Sequence, residues 1–359
     1  MFDFGLTPDQ EARAKELHAK IITWDMLIES TVLDRNWKNM AAPGGLTGGS
    51  FTIGAGGIRH FKVGGSPDLL RFEDWWSYET TLDDVAIMKG EFANPDNKIV
   101  QATKVADIRQ AKVDGNVALM LNTQNSIWIG YSPERIKTMY NHGLRVVQLT
   151  YNQQNFIGSG CQEDANNHLS EFGVKMIGAL NDQGMLVDTG HTGAGTIRHA
   201  IEVSEKPISC SHAGMEWQAK GQDRVQTDDT LKILADSGGV FGLSSIPGML
   251  TGKERCTVND YLDGIEHAIK LMGIEHVGLG TDFVFNVAIE QIGTSPDWQG
   301  ATVPVGGTTK EVFDNHEGFE DHSKFINVTR GLVGRGYSDD DITKIMGGNW
   351  LRLIGDTIG

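Results

Sequence analysis

Short apolar runs rich in Val, Ile and Leu recur along the chain at residues 21–24, 117–121, 145–149, 185–187, 207–210, 240–243 and 276–279. Each has the length of a strand that is buried on both faces. Longer stretches with helical spacing lie between them, at 169–180, 194–203, 228–235, 258–271 and 339–345. Alternation of this kind predicts βα units around a parallel sheet. The seven runs leave one strand short of a closed barrel, and residues 50–53 are the candidate for the missing second strand.

The punctuation agrees with the pattern. Gly115, Gly143, Gly184, Gly238 and Gly273 each fall after a helical stretch and before a strand. That is where a residue tolerating positive φ ends a helix. Ser338 precedes Asp339, Asp340 and Asp341, so a hydroxyl cap and acidic first-turn charges coincide. Two stretches break the rhythm, glycine-rich 41–65 and the long 284–318, and are expected to be either loops at a pocket rim or disordered insertions. The expected architecture is α/β: one (β/α)8 TIM-barrel domain over residues 1–359.

Composition narrows the function. With Lys+Arg 31 against Asp+Glu 47, the net charge is −16, which repels phosphate backbones and argues against a nucleic-acid partner. The three cysteines, Cys161, Cys210 and Cys256, form no CxxC pair, so neither a disulfide framework nor a thiolate zinc site is indicated. The polar N-terminus lacks the apolar core of a signal peptide, and no run approaches the length of a membrane span. A cytoplasmic protein with no membrane partner is expected.

In such a barrel the chemistry sits where the strands end. Beyond the apolar runs come Gln124, Tyr151 and Asn152, Asp188 and His191, Ser211 and His212, and Asp282. His191 and His212 are one βα repeat apart, so neighbouring strands bring two imidazoles to one place, where they can share a metal ion. Asp282 faces the same centre, as a ligand or as the acid/base for a metal-bound water. His142 and His276 fall at strand entrances and are expected to be structural. The aromatic group Trp75, Trp76 and Tyr78 is expected to cover the barrel or form an oligomer contact rather than stack on a ligand.

The segments LRVVQLTYNQQNFIGSGC, HLSEFGVKMIGALNDQGMLVDTGHTG, KPISCSHAG, GVFGL, GIEHVGLGTDF and GYSDDDITKIMGGNWLRL resemble the membrane (renal) dipeptidase family across most of residues 105–355. The resemblance implies an amidohydrolase-like barrel, a zinc centre, hydrolysis of a small amide such as a dipeptide, and a homodimer. It matches His191 and His212 to two histidine ligands, and Asp282 to the aspartate that meets the substrate amine and assists proton transfer. Arg224 matches the arginine that holds the substrate carboxylate, and Tyr151 replaces a substrate-contacting histidine, with Asn152 beside it.

The chain departs from the family at the first and third strands. Where the family reads Asp-Gly-His-x-Asp, the chain reads Asp25-Met26-Leu27-Ile28-Glu29. Leu27 then stands at the histidine and Glu29 at the second aspartate; a shift of two residues would put Thr23 and Asp25 there instead. Gln124 stands where a bridging glutamate is expected. The resulting ligand set, Glu29, Gln124, His191 and His212, predicts one zinc or other divalent ion, or a weakly occupied pair. Two functions follow: a metal-dependent hydrolase of a small amide or dipeptide-like substrate, or a catalytically inactive barrel that binds a small ligand.

Overall fold

A computed structural model describes residues 2–29, 37–54, 76–253, 255–283 and 316–359. Eight parallel strands close into a barrel. They are β1 (Trp24–Ile28), β2 (Gly48–Thr52), β3 (Val117–Thr123), β4 (Leu144–Gln148), β5 (Leu186–Asp188), β6 (Ser209–Met215), β7 (Val240–Leu243) and β8 (Val277–Leu279). Each pairs with the next, and β8 returns to β1 through the register Asp25↔Leu279. The helices Glu171–Gln183, Ala194–Val203, Asp228–Asp236 and Val258–Met272 follow the predicted stretches to within a few residues. All five punctuating glycines adopt φ between 68° and 98°, and Ser338 Oγ accepts from Asp341 N at 3.1 Å to cap Asp339–Thr343.

The second strand has almost no apolar signature, and packing explains why. A Cβ on Gly48 would collide with Ala118 O and the Trp24 ring, and one on Gly49 with Asp25 O and Ile28. Close approach of neighbouring backbones therefore demands glycine where a strand would ordinarily show Val or Ile. The expected loop at 41–65 is thus corrected over its described part: residues 41–44 finish the helix Trp37–Gly44, and β2 follows. Residues 55–65, Trp75 and most of 284–318 lie outside the described residues.

Two strand boundaries move in ways that matter for the site. The first begins at Trp24, later than expected, because Thr23 is held below the strand, its hydroxyl donating to Gly45 O at 2.8 Å. The sixth runs on to Met215, and its pairing with β7 shifts register between Cys210 and Ala213. Ser211 and His212 lie on that irregularity, which re-aims side chains at a barrel rim. Beneath the barrel the C-terminal helix Asn349–Thr357 seals β7 and β8, with Trp350 Nε1 donating to Leu279 O at 3.0 Å. Among the described residues no helix is long and apolar enough to cross a membrane.

Candidate active site

The site is built around the two imidazoles. Their rings meet edge to face, with centroids 4.8 Å apart, and both are buried. A side chain at Gly190 would collide with the His212 ring, so this approach requires glycine. Burial, with the Arg224 charge next in importance, pushes both histidines well below their usual pKa, so both rings are neutral.

Hydrogen bonds fix which nitrogen of each ring carries the proton. Ser211 Oγ donates to Asp188 Oδ2 at 2.7 Å, so it meets His212 Nδ1, 2.8 Å away, as acceptor. His212 Nε2 is therefore a bare lone pair, buried and without a partner among the described residues. Asp188 is fixed in turn by Ser209 Oγ and Ser211 N, each at 2.7 Å. Asn152 Oδ1 accepts from Cys161 Sγ at 3.3 Å and lies 2.6 Å from His191 Nδ1. That contact places the His191 proton on Nδ1 and its lone pair on Nε2. Orientation of each imidazole through its far nitrogen is the arrangement found behind metal-binding histidines.

On the opposite side, Gln124 follows β3 and Glu29 follows β1. The Gln124 carboxamide nitrogen donates to Glu29 Oε1 and to Thr52 Oγ1 (3.2 Å). Its oxygen consequently points at His191 Nε2, 2.9 Å away. With the His191 proton on Nδ1, two lone pairs face one another there. Beside them, Arg224 Nη2 donates to His191 Nε2 at 3.1 Å, and its Nη1 to Gly190 O. Arg224 is brought in by the short strand Val225–Gln226, which pairs with the end of β6.

Asp282 follows β8 at φ 59°, a left-handed conformation strained for a non-glycine residue. Burial first, and then the Glu29 charge, push its carboxyl well above the usual carboxylate range. Tyr151 stacks on His191 with centroids 3.9 Å apart, and Trp76 packs on Tyr151 at 4.6 Å. Trp76 is buried and so covers the barrel, while the Tyr78 ring lies under the Arg135 guanidinium.

Every candidate residue thus borders the mouth. Asn152, expected at the substrate, is buried with its carboxamide oxygen 2.6 Å from His191 Nδ1. On the first strand, Glu29 reaches Gln124, whereas Thr23 lies at the other end of the strand. Asp25 instead accepts from Thr281 N (2.9 Å) and sits 2.8 Å from His322 Nε2, tying β1 to the chain beyond β8. The Asp188–Ser211 support was not assigned a role from sequence; its one signal is that both residues sit beside the histidines at strand ends.

Among the described residues, no group of three or more His, Cys, Asp or Glu is arranged to hold a metal ion. The residues that would hold a divalent ion are His191 through Nε2, His212 through its orphaned Nε2, and Gln124 through Oε1, whereas the buried Leu27 offers no lone pair.

The membrane dipeptidase family (peptidase family M19) matches residues 71–297 of the chain. A dipeptidase, verJ, of Clonostachys rogersoniana is 25% identical over 280 residues, covering 77% of this chain and 65% of the relative. A dipeptidase, aclJ, of Aspergillus oryzae is 27% identical over 264 residues, covering 72% and 56%. The chain therefore spans less than two thirds of these curated relatives. A solved amidohydrolase from Pseudomonas aeruginosa superposes with a TM-score of 0.82 at 26% identity, over 96% of this chain and 99% of that one.

Proposed function

Because the chain belongs to the membrane dipeptidase family, peptidase family M19, we propose that it hydrolyses the C–N bond of a dipeptide or dipeptide-like small amide. The observation that carries the proposal is the pair of neutral imidazoles whose Nε2 lone pairs border the mouth, His212 Nε2 buried without a partner among the described residues. A single divalent ion, zinc in the first instance, suits His191, His212 and Gln124. When bound, such an ion polarises a carbonyl and lowers the pKa of a water on it.

The chain's own residues supply the rest. Arg224 presents a planar fork that grips a substrate carboxylate in two places. Asp282, with its raised carboxyl, takes a proton and returns it to the leaving nitrogen, a role for which carboxyls are tuned upward by burial and like charge. Tyr151, fixed against His191, bounds the substrate space and donates to the developing oxyanion. Asn152, Ser211 and Asp188 hold the imidazoles. The proposed enzyme acts in the cytoplasm as a homodimer.

One observation favours a ligand-binding barrel without hydrolysis: the guanidinium already bonded to His191 Nε2. A panel of dipeptides and N-acyl amino acids assayed with added Zn²⁺ or Mn²⁺ separates the two. Hydrolysis lost by at least about a hundredfold in His191→Ala supports the enzyme. Silence across the panel, with no ion bound, overturns it.

A further inference from the structure

We propose that the Arg224 guanidinium and a divalent metal ion are alternative occupants of one cation position on His191 Nε2, and that a ligand carboxylate selects between them. The proposal rests on the single-ion site described above but not on hydrolysis.

The competition follows from three contacts. His191 has its proton on Nδ1, facing Asn152, so Nε2 carries one lone pair. Arg224 Nη2 occupies that lone pair at 3.1 Å, and a metal bond needs the same electrons. The backbone of Arg224 is pinned, its carbonyl accepting from Gly214 N at 3.0 Å, so release requires the side chain to swing. Even displaced, a buried guanidinium close to a divalent ion repels it. The neighbouring Gln124 is neutral, and the acidic groups in range, Asp282 and Glu29, oppose each other's charge.

What holds the guanidinium in place is weak by comparison with a carboxylate. It bonds one imidazole nitrogen and one carbonyl, Gly190 O. An anionic carboxylate in the mouth offers two charge-assisted bonds instead. A carboxylate that draws Arg224 off His191 frees Nε2 for the ion and screens the two cations from each other. By linkage the ion then strengthens carboxylate binding by the same factor. The site is thereby designed to load its ion together with its ligand.

The test measures Zn²⁺ affinity of the full, chelator-stripped chain by competition with a chromogenic chelator, with and without acetate. Arg224→Met is expected to bind Zn²⁺ about tenfold tighter than the unaltered chain or more. Acetate is expected to tighten Zn²⁺ on the unaltered chain by roughly tenfold and to leave Arg224→Met unchanged. The acetate arm needs no variant, so the test stands if Arg224→Met fails to fold. His191→Ala is expected to lose the binding. An Arg224→Met affinity equal to or weaker than the unaltered chain overturns the proposal. So does an acetate effect that survives Arg224→Met, or Zn²⁺ binding that survives His191→Ala. No turnover is measured, so failure of the hydrolase proposal would be seen separately, in the substrate panel.

Discussion

The two sides of the barrel mouth are built differently. On the side of β5 and β6, each imidazole is held through its far nitrogen by a buried partner, and behind His212 the chain of support runs through Ser211 to the fully buried Asp188. On the side of β1 and β3, Gln124 and Glu29 are bonded to each other, and Leu27 supplies only bulk. One side presents two supported imidazoles; the other ties Glu29 to the Gln124 carboxamide nitrogen and leaves the Gln124 oxygen to face them. The lesson is that a binding centre is recognised by what stands behind the ligands, since only a supported ligand keeps its lone pair aimed and free.

The largest effect expected from this contrast is on acid stability. Burial first holds His316, packed at the end of β7, down to a pKa of about 4 against an ordinary 6.5. Burial also holds His191 and His212 neutral. The unfolded chain takes up protons that the folded chain refuses. The neutral form's contribution is therefore complete above about pH 6.5 and is lost as the pH falls towards 4. His316 alone accounts for about 3 kcal/mol. Urea midpoints recorded from pH 7 to pH 4 should fall steeply. A flat profile, or one unchanged in His316→Asn, would show that these histidines do not govern acid unfolding.

The next effect separates ligand from support. Ser211→Ala removes the acceptor for His212 Nδ1 and a donor to Asp188 without touching either lone pair at the mouth. Zn²⁺ affinity should drop roughly tenfold to a hundredfold, and unfolding should become easier by about 1–3 kcal/mol as Asp188 loses a buried partner. Loss of stability with unchanged ion affinity would reduce Ser211 to a packing role.

The smallest effect tests whether the poorer side can be improved. Gln124→Glu adds a negative charge beside His191 Nε2 but breaks the bond to Glu29. Repulsion from Glu29 offsets part of the gain, so Zn²⁺ affinity should rise by only about fivefold. Equal or weaker binding in a titration would mean that Leu27, and not the charge at Gln124, limits this side.

Much of this was legible in the chain. The glycine-terminated helices and apolar runs carried the barrel, because periodicity and capping are local properties. His191 and His212 were legible because equivalent positions one repeat apart must meet at the rim of a parallel barrel. The second strand was faint because its glycines answer to Trp24 and Ala118, residues far away along the chain. The late end of β6 was missed because its irregularity against β7 is a property of pairing.

Sequence alone therefore determined the barrel, the two imidazoles and the carboxylate after the last strand. Tertiary structure decided how those groups are spent. It turned Asn152 towards His191, bonded Gln124 to Glu29, set Ser211 behind His212 and laid Arg224 across the His191 lone pair. The physical reason is that a lone pair's availability depends on who donates to it. The hydrogen-bond partners that decide it come from 33 to 95 residues away, except the immediate neighbour Ser211, where no local pattern reaches.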